Sequence, residues 1–295
     1  RSTDTLHLVI DPMRPVLVDE THPFFDDFEE DLRWNFTNGE CVNRWYYGTA
    51  VASTGTHSIY ISEDNGVNNT YNWDPATNTY SYVYASKRFI LTPGAHSFSY
   101  EWHANGVVDH DYLRVFLAPD AATLPATFNG TTPTGWIALD GDVKKCGAAF
   151  WTYYAANVNV TTAGIYKMVF VWRNESHFLG SGHNPAGAVD NVSIVKTTCT
   201  PPTNLHNSDI TTTSATVAWT GTGTRYTVAY GIASTPSDMD TLSVTGNSIQ
   251  LTGLSPSSEY HLFVRKWCGD SQVSAWSAMY TFQTSCGALS ALPYT

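Results

Sequence analysis

Ser214-Ala215-Thr216-Val217-Ala218-Trp219, then Tyr226-Thr227-Val228-Ala229-Tyr230-Gly231, then Leu251-Thr252-Gly253-Leu254-Ser255-Pro256-Ser257-Ser258-Glu259-Tyr260 are the stretches on which the fold is read. In the first two, small polar and apolar residues alternate, which sends every second side chain to one face of a strand. In the third, Gly253 and Pro256 break a strand pattern and turn the chain. Short strands with turn signals between them must bury one face against another sheet. The segment therefore reads as a β-sandwich with Trp219 pointing into its core.

The same grammar runs upstream. His57–Ser62, Tyr80–Tyr84, Ser97–Trp102, Tyr112–Leu117, Tyr166–Trp172 and Ala188–Val195 are β-branched and aromatic runs punctuated by Gly, Pro, Asn and Ser, with almost no helical periodicity. The fold class is all-β. A composition break at Lys196-Thr197-Thr198-Cys199-Thr200-Pro201-Pro202 marks a domain boundary, because paired prolines stiffen a linker and do not extend a central strand. The 295 residues suit roughly two domains, and 42% hydrophobic residues exclude a disordered chain.

With 15 Lys and Arg against 26 Asp and Glu, the formal charge is −11. The sequence shows no run of basic residues of the kind that docks on phosphates, so nucleic acid is excluded as a partner, and cationic partners or divalent ions are favoured. No apolar run approaches the ~18–20 residues of a membrane helix, so no membrane insertion is expected. The chain opens at Arg1 without an initiator Met or leader pattern and stops at Leu292-Pro293-Tyr294-Thr295, and the expectation is an excised or mature piece of a longer protein. Cys41, Cys146, Cys199, Cys268 and Cys286 are widely spaced and contain no CxxC, which favours disulfides in an oxidising compartment over a zinc site.

The C-terminal pattern resembles a fibronectin type III domain from Cys199 to about Thr284. Trp219 takes the place of the buried B-strand Trp, and Leu254-x-Pro256-x-x-x-Tyr260 that of the tyrosine corner. In such a sandwich Cys199 precedes strand A and Cys268 ends strand F at the same pole, whereas Cys286 follows strand G at the other. The seven steps from Tyr260 to Trp267 span roughly 23 Å at ~3.3 Å per residue, beyond the ~4.4–6.8 Å between α-carbons of a disulfide. The resemblance thus implies a Cys199–Cys268 bridge and leaves Cys286 to a following module; a Cys41–Cys146 bridge is expected upstream.

From about Val18 to Val195 there is a second resemblance. Phe24-Phe25-Asp26-Asp27-Phe28-Glu29-Glu30, Trp45-Tyr46-Tyr47-Gly48, His57–Gly66, Asp111–Val115, Val169–Asn174 and Pro185–Ile194 together resemble a cleaved-adhesin or choice-of-anchor jelly-roll module, gingipain adhesin-like and MAM-like. Such modules belong to secreted or surface proteins of Bacteroidetes. The organisation implied is a strap or the end of an upstream element at 1–17, a jelly roll at 18–196, the fibronectin type III domain at 197–286, and a lead-in to a further module at 287–295.

That resemblance also implies a structural Ca²⁺ where the first and last strands meet, since the hard cation needs six to eight oxygens. Glu29 and Asp190 match the family's ligands and Asp27 is an additional one; Asp26 and Asn191 supply further oxygens beside them. A ligand-binding loop is read from Asn68–Tyr80, whose Asp74-Pro75 turn and Asn/Thr content mark it as exposed while Tyr71, Trp73 and Tyr80 offer rings to a sugar. The competing reading folds those rings onto the sheet.

No Gly-x-Ser-x-Gly, phosphate loop or His-Glu-x-x-His is present, so no catalytic residue is assigned. Asp109-His110-Asp111 with His103, and His177 with His183, read as polar loops. Glu101 and Asp111 keep open a carboxylate pair for glycoside hydrolysis. The function expected is a non-catalytic adhesion or glycan/protein-binding module of a secreted or cell-surface protein, partnered by a host or extracellular glycan or protein and by neighbouring modules of the same polypeptide. The alternatives are an accessory fragment of a secreted protease or glycosidase, and a plain spacer.

Overall fold

Alternating side chains become strands throughout. The structure, a computed structural model, describes residues 13–31, 33–72, 81–174, 184–196, 199–268 and 273–287. Twelve strands form the first domain: β1 (Val16–Val18), β2 (Phe24–Asp26), β3 (Asn35–Thr37), β4 (Arg44–Gly48), β5 (Ser58–Ser62), β6 (Ser81–Leu91), β7 (Gly94–Ala104), β8 (Tyr112–Pro119), β9 (Ile137–Ala138), β10 (Ala148–Val160), β11 (Gly164–Asn174) and β12 (Ala188–Lys196).

They make two six-stranded sheets. The first has the order β1-β6-β11-β8-β9 with β3 also on β6; the second has β10-β7-β12-β5-β4 with β2 on β12. From β5 to β12 the chain changes sheet at nearly every connection, which is the winding of a jelly roll. β1 runs parallel to β6 and places Val16 beside Phe89, so part of the expected N-terminal strap belongs to the sandwich. Residues 1–12 and 288–295 lie outside the described residues.

Val83, Phe89 and Leu91 of β6, Phe98, Tyr100 and Trp102 of β7, and Phe170 and Trp172 of β11 meet between the sheets. The first sheet is covered on its other face too, where Tyr84, Phe116, Val169 and Val171 lie under Phe128 and Trp136 of the long β8–β10 connection. Burial on both sides explains why Met168–Trp172 reads as a continuous apolar run and not an alternating one. Arg114 is buried on this second face. Its Nε donates to Asp140 Oδ2 at 2.5 Å, its Nη2 to Asp142 Oδ1 at 2.7 Å, and its Nη1 to the Gly130 carbonyl.

Seven strands form the second domain: β13 (Thr203–Ser208), β14 (Ser214–Thr220), β15 (Arg225–Gly231), β16 (Asp240–Thr245), β17 (Ser248–Thr252), β18 (Glu259–Lys266) and β19 (Tyr280–Gln283). A three-stranded sheet β13-β14-β17 faces a four-stranded sheet β16-β15-β18-β19. Trp219 is buried and packs edge-on against Tyr226 at 5.2 Å. The Tyr260 hydroxyl accepts the Ser255 N–H at 2.9 Å and closes the corner read from the sequence.

Cys199 and Cys268 are bonded, with α-carbons 5.7 Å apart, and Cys286 is free and exposed. Cys41 and Cys146 are both free, which corrects the bridge expected between them. The reason is positional. Cys41 packs on the core between the sheets, whereas Cys146 packs on the cluster covering the outer face of the first sheet, so that sheet stands between them.

The two sandwiches touch through β10, the edge strand of the second sheet. The Tyr153 N–H donates to the Ser234 carbonyl at 3.2 Å and the Ser234 hydroxyl to the Trp151 carbonyl at 2.8 Å. The Tyr153 ring meets Phe263 of β18 edge-on at 5.6 Å. An exposed sheet edge is thereby covered by the neighbouring domain.

Candidate functional site

Two of the carboxylates assigned to calcium from the sequence, Glu29 and Asp190, bind one loop, residues 49–57 between β4 and β5. Glu29 accepts the N–H groups of Thr56 and His57 at 2.7 and 2.8 Å and the Thr56 hydroxyl at 2.9 Å. Asp190, fully buried on β12, accepts the N–H groups of Ser53 and Thr54 on Oδ2 at 2.7 and 3.3 Å and that of Asn191 on Oδ1 at 2.7 Å. Asp27 caps its own turn by accepting the Glu29 N–H at 3.2 Å. Asp26 is buried, with the Phe28 N–H at 3.0 Å and the Trp34 indole N–H at 2.9 Å on its two oxygens.

The oxygens of Glu29 and Asp190 accept from N–H donors, and no group of three His, Cys, Asp or Glu among the described residues converges as a metal site. Glu29 and Asp190 meet the loop at separate positions, Thr56–His57 and Ser53–Thr54, and Asp27 holds its own turn. The loop does the joining: its amides bind Glu29 near β2 at one end and Asp190 of β12 at the other.

Glu101, opposite Asp190 on β7, completes the cluster. Its Oε2 accepts the Ser53 hydroxyl at 2.5 Å and the Asn191 amide at 2.9 Å. Burial, with the Glu101 charge beside it, pushes the Asp190 carboxyl up to about 6 against the pull of its three backbone donors. Glu29, exposed but held by backbone amides, is drawn down to about 2.

These opposite shifts fix opposite pH dependences. The folded chain keeps the Asp190 proton up to about 6 whereas the unfolded chain releases it near 3.8, so this contribution to stability is full below that value and is lost as the pH rises to about 6. The Glu29 contribution is present above 4.5 and lost as the pH falls to about 2. Glu101→Gln keeps an acceptor for Ser53 while removing the charge, and should lower the Asp190 midpoint in a carbon-detected NMR titration of the side-chain carboxyls. A parent midpoint for Asp190 at the ordinary carboxylate value would refute the buried pair.

Of the three rings assigned to ligand contact, Trp73 and Tyr80 lie outside the described residues. Tyr71 is 3% exposed, stacks edge-on against Trp172 at 5.1 Å and donates from its hydroxyl to Asp111 Oδ2 at 3.1 Å. It is therefore a core residue and not an exposed platform. Asp111 accepts that contact, while Glu101 accepts from Ser53 and Asn191 of the loop cluster. His103 stacks on Trp151 at 4.5 Å and burial draws it down to about 4, while Asp109 pairs with Lys144. His177 and His183 lie outside the described residues.

Among the described residues no helix is long and apolar enough to cross a membrane. The family model for the fibronectin type III domain matches residues 200–283. Among solved structures the chain is similar to a computer-redesigned β-sandwich protein, with 31% identity over 29% of this chain and 95% of that one and a TM-score of 0.26. It is similar to the fn3 domain of the human collagen alpha-1(XX) chain at 26% identity over 32% and 94%, with a TM-score of 0.28. It is also similar to the FN5 domain of Drosophila Lar at 18% identity over 30% and 99%, with a TM-score of 0.26. No curated protein matches the sequence.

The C-terminal sandwich is thus a fibronectin type III domain, a modular unit of binding and structure whose disulfide is of the kind common outside the cell.

Proposed function

We propose that the chain is a non-catalytic, extracellular binding module of a larger adhesive protein, in which the jelly roll carries the ligand surface and the fibronectin type III domain holds it at a set angle. The observation that carries this reading is the fibronectin type III domain closed by Cys199–Cys268 and hydrogen-bonded to the jelly-roll edge at Ser234. A free linker would leave β10 as an open strand edge, and the Tyr153–Phe263 contact would be lost.

Adhesion to a host or extracellular glycan or protein, and an origin among secreted Bacteroidetes adhesins, rest on the order of jelly-roll motifs from Phe24 to Ile194. Glu29, Glu101, Asp111 and Asp190 are engaged in hydrogen bonds within the fold, which favours binding over hydrolysis. An array of glycans and extracellular matrix proteins, run beside a general hydrolase screen on the same chain, tests it. Saturable binding without turnover is the expected result; turnover of any substrate class overturns the reading.

A further inference from the structure

Five of the chain's 15 Lys and Arg residues line a single cleft: Arg14, Arg33, Lys87, Arg88 and Lys167. They come from four places in the sequence, which is why no basic run announces them. β3 pairs with β6 as far as Ser86 and β1 takes over from Phe89, so the cleft sits where these two short strands meet along β6, over Lys87 and Arg88. Lys167 reaches it from β11, where it lies opposite Arg88.

Part of this charge is balanced. Arg88 grips Asp120 through Nε and Nη2 at 2.8 and 2.6 Å, and Lys87 faces the carboxylates of Asp26 and Asp31. Lys167 Nζ donates to the Ala122 carbonyl, which leaves its charge intact. Arg14 and Arg33 are exposed and make no ion pair with a described residue. Arg14 and Arg33 thus bring to the cleft two cations that no described acid pairs, on a chain of net charge −11. At physiological salt charges beyond ~8 Å are screened, so a small anion in the cleft feels the cations more than the acidic remainder.

Directly beside the cleft, and sharing Met13, Arg33 and Asn35 with it, is a pocket of about 290 Å³ lined by Phe28, Trp34, Phe36 and Tyr47 and by one acid, Asp31, next to Arg33. Its volume is at the small end for ligand sites, ~300 Å³, and suits one ring. Aromatic walls accept the CH face of a sugar, and guanidinium groups accept an oxyanion.

We propose that this joined pocket and cleft bind an acidic sugar, with the pyranose ring against Phe36 and Tyr47 and its sulfate or carboxylate between Arg14, Arg33 and Lys167. The acidic surroundings disfavour a long polyanion, so the ligand class is an oligosaccharide with one charged unit. The proposal rests on the binding-module reading and gives it a ligand.

The test is titration calorimetry of the whole chain with 3′-sulfolactose, 3′-sialyllactose, lactose and inorganic sulfate. At least one acidic trisaccharide or disaccharide should bind at least about tenfold more tightly than lactose and than sulfate, the loss expected when a charge-assisted hydrogen bond is removed. Arg14→Gln/Arg33→Gln should abolish that preference without lowering the melting temperature, and Phe36→Ala should weaken the sugar but not sulfate. Equal affinity for lactose, equal affinity for sulfate, or parental binding by the double variant each overturns the proposal. Array binding by the chain that survives Arg14→Gln/Arg33→Gln would sink this site and leave the module reading standing, whereas an array with no ligand at all would sink both.

Discussion

Serine at Cys199 and Cys268 is expected to destabilise the fibronectin type III domain by about 4 kcal/mol, from the loop-closure entropy of a bridge spanning 69 residues. That is a large share of the stability of a domain of this size, since small domains hold only about 5–15 kcal/mol in total. The bridge ties the chain ahead of β13 to the end of β18, and the Cys199 sulfur is fully buried. Urea unfolding of the double serine variant, followed at Trp219, should show a midpoint lowered by at least about 1 M, given the ~1–3 kcal/mol per M of a small domain. A loss below about 1 kcal/mol would mean that the native contacts hold these segments without the bond.

Arg114→Leu should be of similar size, about 3–5 kcal/mol, because it strands the fully buried Asp140 without its cation. Asp140 would keep the N–H groups of Val115 and Asp142 at 2.9 Å each but lose Nε. Asp142 and Thr132, which share the guanidinium, would lose their anchor as well. Adding Asp140→Asn to Arg114→Leu should recover part of the loss by removing the unpaired charge. Thermal unfolding of the single and double variants decides it. A double variant less stable than Arg114→Leu would show that the Asp140 amide contacts, and not its charge, hold the β8–β10 connection.

Local patterns in the sequence carried the second domain almost whole, because its markers are local. Trp219 sits on an alternating strand, and Tyr260 lies five residues from the amide it caps, so spacing alone reveals them. The Cys199–Cys268 pairing followed once strand order was known. Cys41 and Cys146 misled because their separation by a sheet depends on which face each strand presents, and β11, buried on both faces, gives no alternation from which to read it.

The residues of the jelly-roll cluster were legible in the sequence, and their hydrogen-bond partners were not. Glu29 and Asp190 do meet a common element, as the first-to-last-strand reading required, but that element is a loop of backbone amides. Ser53 and Thr56 carry no sequence signal of such a role, since any residue with an N–H serves. Glu101 was visible as an acid on a strand, yet its partner is Asp190 across the sheet and not Asp111. Arg114 had a readable sign, a lone cation inside Tyr112–Leu117, and Asp140-Gly141-Asp142 supplied its acids. The cationic cleft had none, because Arg14, Arg33, Arg88 and Lys167 are brought together only by strand pairing.

The claim that this chain binds and does not turn over its target is tested most directly by surface plasmon resonance over an immobilised panel of extracellular glycans and matrix proteins, with repeated injections on each surface. The account predicts a saturable, reversible response whose maximum is unchanged from the first cycle to the last. A capacity that falls with each injection, as the chain consumes the surface, or the absence of any saturable response, would contradict it.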